Sequence, residues 1–394
     1  MSIIFLTVTK SLGKKASFEL ASSLHASLSY LKNNVLQMLH RINSVADIPY
    51  KNNFDLLRLV LAFSVCLAHL GEISGVSAFI PLSHYFYSGV AVDCFFVVSG
   101  FLIFRSHERS SSLFSYLNKR LRRIYPAYVT VVLLAAIVMP LLATAETSLF
   151  FSPEWFRYLF ANLFFLNFLQ PDLPGVFTAN PLQVINAPLW TIKVEVMFYL
   201  SLPLIFLLFR NRKKWLVLGL LYAASIAYSS LLLHLHHTSG LESYLRLEKQ
   251  LPGQLAFFLG GGGIYLYFSF FKRHWWKFFL ISLLFLILKG YSFFPALYPL
   301  ALAIGVISFA VCLPYAGNWG KYGDISYGVY IFHFPLIQLF TYFGIFQPHP
   351  WLAFTLLILS ILLTAACSYH LIERPFLQKS SHYRQAAEQD PSCP

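Results

Sequence analysis

Charge is what this 394-residue chain has least of: only 11% of its residues are Asp, Glu, Lys or Arg. A soluble domain carries about 25%. The shortfall excludes an ordinary soluble enzyme, and a 57% hydrophobic content makes the chain a polytopic membrane protein rather than two or three soluble domains. Cysteine is sparse too. Of Cys66, Cys94, Cys312, Cys367 and Cys393, four lie in apolar stretches and none forms a CxxC pair. That excludes a disulfide framework or a zinc cluster and leaves them as small core residues. No internal repeat of the transporter kind pairs one half with the other. No cleavable signal peptide is expected, because the short run IIFLTV precedes Lys10 instead of following a basic region. The charge that is present is positive, +13 in all, and in a polytopic chain this reports cytoplasmic loops rather than nucleic acid.

Apolar runs long enough to cross a bilayer are abundant. Spans are expected near 54–70, 84–104, 126–145, 188–209, 215–235, 251–271, 276–290, 295–314, 326–345 and 352–372. The further run WFRYLFANLFFLNFLQ at 155–170 is settled by charge parity. The loops 105–125 and 210–214 are both rich in Lys and Arg, so both belong to the cytoplasmic side and an even number of crossings separates them. Spans 126–145 and 188–209 already make two, so 155–170 is expected to lie at the far interface or to re-enter. The expected fold is an all-α polytopic bundle of about ten spans with both termini cytoplasmic. Residues 1–50 form a cytoplasmic extension, 51–378 the membrane domain and 379–394 a cytoplasmic tail.

Ionisable groups inside such spans are costly and mark functional sites by default. The first span, FDLLRLVLAFSVCLAHL, carries Arg58 and His69 eleven residues apart. Eleven residues are about three helical turns, so the two share a face about 16 Å apart along the axis. Asp93 sits in the second span, within SGVAVDCFFVVSGFLI, where Ser99-Gly100 permits close backbone approach. Arg120 and Arg123 in KRLRRIYP share a face if helical and suit a phosphate, although topology and lipid headgroups would also explain them. Glu195 in PLWTIKVEVMFYL would be protonated unless paired, and His69 is its expected partner, since both should fall in the outer half of the membrane; a carboxylate there would fix the imidazole's tautomer. His333 precedes Pro335 in GDISYGVYIFHFPL. Proline frees backbone groups, so His333 either satisfies those groups or lines the cavity.

Taken in order, these stretches, closing with HLIERPF, resemble the acyltransferase 3 family of integral-membrane O-acyltransferases that modify bacterial surface polysaccharides. The resemblance covers roughly residues 50–378. It implies transfer of an acyl group, acetyl by default, from cytoplasmic acyl-CoA to a sugar hydroxyl of a polysaccharide such as lipopolysaccharide or of a glycolipid, in the bacterial inner membrane. Arg58 and His69 match the family's first-helix pair, and Arg120 and Arg123 its donor-associated arginines. Where the family usually has two adjacent carboxylates, this chain has Glu195 followed by Val196. No fused extracytoplasmic hydrolase-like domain is expected, which leaves open a separate extracytoplasmic partner protein.

The expected mechanism follows. Arg120 and Arg123, with Arg58, hold the CoA phosphates. The thioester arm runs along the first helix to His69. There His69 acts as general base or as a covalent acyl carrier, oriented by Glu195. Asp93 and His333 are candidates for the substrate channel. A thioester is already activated, so no metal is expected. The competing readings are a flippase of a glycolipid or acyl donor without chemistry, and a non-catalytic scaffold. Loops 146–187 and 236–250 are expected to govern acceptor choice.

Overall fold

Every regular element among the described residues is a helix. The computed structural model describes residues 48–377 other than 50, 143–149, 211, 289–294 and 322. The expected tail, and all of the expected N-terminal extension except residues 48 and 49, lie outside that set.

Eleven helices carry the argument. Helix α1 spans Phe54–Ile73, with Asp55 in the first turn, where the helix dipole favours a carboxylate. Helix α2 is Ser88–Glu108. Helix α3 is Leu113–Val138, capped by Ser112, whose hydroxyl accepts from Ser115 N at 3.1 Å. Helix α4 is Pro153–Leu163, with a Ser152 cap and proline in the first turn. There follow α5 Leu189–Phe209, α6 Lys214–Ser239, α7 Leu251–Leu266 and α8 Phe268–Leu288. Then come α9 Tyr298–Val311, α10 Ser326–Tyr342 and α11 Pro350–Cys367, the last continued by a π-helical turn, Ser368–Glu373.

The helical, multi-pass reading holds. By length and hydropathy, six helices among the described residues can cross a membrane: Phe54–Ile73, Ser88–Glu108, Leu113–Leu142, Leu189–Phe209, Lys214–Ser239 and Pro350–Phe376. The pair Glu242–Leu266 and Phe268–Ile287, bent by 112°, makes seven if taken as one span. The difference from ten expected spans has two sources. The chain breaks at Tyr267, inside the expected span 251–271, and α9 and α10 are only 14 and 17 residues long. Helix α3 begins well before its expected start at 126, because the Ser112 cap initiates it there and Pro126 is carried inside. Helix α4, at 11 residues, is too short to cross.

Small residues set the packing. Helix α2 makes its most extensive contact with α7, where a Cβ on Gly100 would run into the Phe258 carbonyl and one on Gly261 into the Val97 carbonyl. Helix α10 packs on α1 and α11. Inside α10, Pro335 removes the donor that would have served the Ile331 carbonyl. Asn186 supplies it instead, its Nδ2 donating to Ile331 O at 2.9 Å. Gln338 of α10 likewise donates to the carbonyls of Leu182 and Val184, both at 2.7 Å. The segment before α5 is thereby tied to α10.

Candidate active site

Arg58, Arg120 and Arg123 sit at one end of the bundle, near the starts of α1 and α3, and Asp324 sits just before α10. Arg58 Nη2 pairs with Asp55 Oδ1 and with Asp324 Oδ2, each at 2.8 Å. Arg123 also bonds Asp324 Oδ2, and its Nη1 lies 3.7 Å from Glu373 Oε2. Asp324 Oδ1 accepts from the Ser326 backbone N–H and hydroxyl. Burial alone would raise the Asp324 carboxyl, but the two guanidiniums and Ser326 hold it below its ordinary value. Gly323 makes the seat possible. Its φ of 107° is in the region that suits glycine, and a Cβ there would overlap the Tyr369 ring. Arg120 stands apart from this network. It is in none of the ion pairs among the described residues, its Nε is buried with no hydrogen-bond partner, and its guanidinium lies 5.9 Å from the Tyr199 ring centre.

These arginines line a cavity of about 120 Å³ together with Glu195, Tyr199 and Ser99. A second cavity, of about 600 Å³, is lined by His69, Glu72, Asp93 and Glu248 among others. Val92, Thr191 and Tyr330 line both. They form a shared neck, closed by a 2.7 Å hydrogen bond between Thr191 Oγ1 and Tyr330 Oη. Arg58 thus lines one chamber and His69 the adjoining one.

His69 does not have the partner expected for it. Glu195 Oε1 accepts from Tyr199 Oη at 2.6 Å and from Ser99 Oγ at 3.2 Å, and it faces the arginine cavity. On α5 it lies one turn beyond Thr191, toward the arginines, while His69 lies on the other side of the neck. The imidazole instead meets His333, Nδ1 to Nε2 at 3.0 Å. The ring planes differ by 8° with centroids 5.3 Å apart, as for two coplanar rings joined edge to edge through that bond. His333 is fully buried, and its Nδ1 lies 3.1 Å from the Val329 carbonyl. It does not serve the carbonyl freed by Pro335, since Asn186 does that.

This chain of contacts assigns the protons. A backbone carbonyl only accepts, so His333 Nδ1 carries hydrogen, and in the neutral ring its Nε2 is an acceptor. His69 Nδ1 must then donate to it. The hydrogen of a neutral His69 is on Nδ1, and Nε2 keeps its lone pair, with no hydrogen-bond partner among the described residues. Such an imidazole is built to take a proton on Nε2.

The structure therefore brings together Arg58, Arg120, Arg123 and Glu195 in one chamber, and His69 and Asp93 in the other, with His333 behind His69. Asp93 Oδ2 accepts from Tyr298 Oη at 3.4 Å. Asp55, Asp324 and Glu373 were not singled out from sequence, although GDISYG and HLIERPF contain two of them. Thr191 and Tyr330, polar residues at the neck, were also missed. Among the described residues no group of three or more His, Cys, Asp or Glu side chains is placed to hold a metal.

Comparison with known proteins gives the family. The acyltransferase-domain family matches residues 51–372. An O-acetyl transferase of Shigella phage Sf6 is 28% identical over 345 residues, covering 84% of this chain and 97% of that protein. Nodulation protein 10 of Rhizobium leguminosarum bv. viciae is 28% identical over 368 residues, with 84% and 94% covered. O-acetyltransferase OatA of Staphylococcus aureus (strain NCTC 8325 / PS 47) is 25% identical, with 74% of this chain and 53% of that protein aligned. No solved structure matches.

Proposed function

The chain belongs to the acyltransferase 3 family, and from that premise we propose that it moves an acyl group, acetyl by default, from acyl-CoA to a sugar hydroxyl. The donor occupies the arginine chamber and the acceptor the histidine chamber. The setting is a bacterial inner membrane, and the acceptor is a surface polysaccharide or glycolipid. The observation that carries this reading is the fixed tautomer of His69 in a cavity adjoining the arginine-lined one.

The roles divide by chamber. Arg120, whose guanidinium has no carboxylate partner among the described residues, takes the donor's phosphate charge. Arg58 and Arg123 shape the chamber through Asp324. The thioester end passes the neck at Thr191 and Tyr330. His69 Nε2 removes the proton of the acceptor hydroxyl as that oxygen attacks the thioester carbonyl carbon. The C–O bond forms, the C–S bond breaks, and the proton leaves His69 for the thiolate, giving the ester and free CoA. His333 accepts the Nδ1 hydrogen throughout and steadies the imidazolium. Glu195, held by Tyr199 and Ser99, faces the donor rather than the base.

The test uses the full chain in lipid nanodiscs with labelled acetyl-CoA and bacterial surface glycans. Acceptor-dependent release of free CoA, with label in an alkali-sensitive ester on the glycan, supports the reading. In sealed proteoliposomes of the same chain, donor or glycan movement across the bilayer without CoA release would replace it with transport.

A further inference from the structure

Helices α6, α7, α8 and α9 surround a cavity of about 580 Å³ inside the bend at Tyr267, walled by Leu218, Gly219, Tyr222, Gly263, Phe278 and Ile304 among others. Its lining is almost wholly apolar. Tyr267 and Phe270 in its wall stay exposed, so it opens toward the bilayer. Glycine inside a helix is unfavourable and is kept where a neighbour comes close. A Cβ on Gly260, Gly261 or Gly262 would crowd Ala303, the Val97 carbonyl or the Phe104 ring. Gly219 and Gly263 face the cavity instead. Among the described residues no neighbour lies within 4 Å of a Cβ on Gly219, and the nearest atom to one on Gly263 is Leu218 Cδ1 at 3.9 Å. Packing within the chain does not account for these two glycines. What they do is widen the cavity.

We propose that this cavity holds one acyl chain of an anionic phospholipid, whose phosphate is bound by the lysines at its basic end. Lipid tails are as apolar as leucine, so hydrocarbon contact alone gives no preference among membrane lipids, and the head group decides. The head-group end is cationic. Lys214 lies one turn before Leu218, on the stripe of α6 that continues to Tyr222. Lys272 directly follows Phe271, another residue of the wall, and Arg273 and Lys277 lie on the same helix. None of these four is in an ion pair among the described residues. The sequence has no Asp or Glu between Glu195 and Glu242 or between Glu248 and Asp324, so no walling helix carries an acid. Basic residues so placed attract anionic lipid heads. Exposed tryptophans mark the same depth: Lys213 lies 6.0 Å from the Trp215 ring centre and Lys277 5.4 Å from that of Trp276. The site is separate from the histidine chamber, which other residues of α7 and α9 line, and it stands whether or not acyl transfer does.

The experiment places the full chain in nanodiscs of equal phosphatidylglycerol and phosphatidylcholine, releases it into detergent and counts the retained lipid by native mass spectrometry. Phosphatidylglycerol should remain bound, enriched at least about fivefold over phosphatidylcholine. The double variant Gly219→Leu, Gly263→Leu puts side chains into the cavity and should abolish that retention, while the unfolding temperature holds or rises because leucine favours the helix. The triple variant Lys213→Gln, Lys214→Gln, Lys272→Gln leaves the cavity open and should abolish the preference for phosphatidylglycerol. Equal retention of the two lipids by the wild type overturns the proposal. So does a wild type that retains neither, whether as a monomer or as a dimer closed over this face, and so does a preference that either folded variant leaves unmoved.

Discussion

The arginine chamber and the histidine chamber share a neck but satisfy their polar groups in opposite ways. In the first, Arg58 and Arg123 are closed upon by Asp55, Asp324 and Glu373, so two of three conspicuous cations are spent inside the protein. In the second, a one-way chain of hydrogen bonds from His69 through His333 to Val329 O ends with one lone pair left over. A closed network gives rigidity, because removing either partner leaves a buried charge. An open-ended one gives reactivity. A charge in a membrane span is therefore not itself the mark of chemistry; what matters is whether its neighbours have already neutralised it.

The largest expected effect lies in the open network. His69→Ala should lower acyl transfer by about 10²–10⁴-fold while leaving equilibrium binding of CoA unchanged. Equal losses in both would merge the two chambers into one. The closed network should respond in stability instead. Arg123→Ala strands Glu373 and leaves Asp324 with Arg58 as its one remaining cation, and should cost about 3–5 kcal/mol, read as a lowered unfolding temperature in detergent. Arg120→Ala, three residues away, should leave that temperature nearly unmoved and weaken CoA binding by about 1.5–3 kcal/mol. If the two variants behave alike, the division of the arginine pair fails. Asp324→Asn sharpens the same point through pH. The folded carboxyl lies below its ordinary value of 3.8, so its stabilisation is complete above that value and fades as pH falls below it. The gap in stability between wild type and Asp324→Asn should be full at pH 7 and shrink in acid below 3.8.

Much of this was legible in the sequence, and what was not has a physical reason. Helical period placed Arg58 and His69 on one face, and they line adjoining cavities, one each. The pairing of Arg120 with Arg123 on one helix face also follows from their spacing, once the Ser112 cap starts α3 early enough to include them. Their division did not follow, because it depends on Asp324 and Glu373, which are 201 and 250 positions downstream of Arg123. The His69 partner was misread for the same reason. Both were expected in the outer half of the membrane, but Glu195 and His69 lie on opposite sides of Thr191 and Tyr330. Tyr199 and Ser99 bond Glu195 on the arginine side, and α10 brings His333 against α1. The span count differed because hydropathy registers apolar runs, not the 112° break at Tyr267 or the short lengths of α9 and α10.

The smallest effect tests whether the chambers work in series. Tyr330 and Thr191 meet at 2.7 Å where the two cavities adjoin, so on the proposed route the acyl group passes that hydrogen bond to reach His69. Tyr330→Phe removes one oxygen from the neck and one buried hydrogen bond, a loss of about 0.5–1.5 kcal/mol in stability. It touches neither Arg120 nor His69. A neck on the route should then become more tolerant of one extra methylene, a difference enzymes commonly read as about 1–3 kcal/mol. The ratio of propionyl to acetyl transfer should rise severalfold in Tyr330→Phe with CoA binding unchanged. A ratio that stays fixed places the neck off the path, and the arginine and histidine chambers would then have to be joined by another route through the bundle.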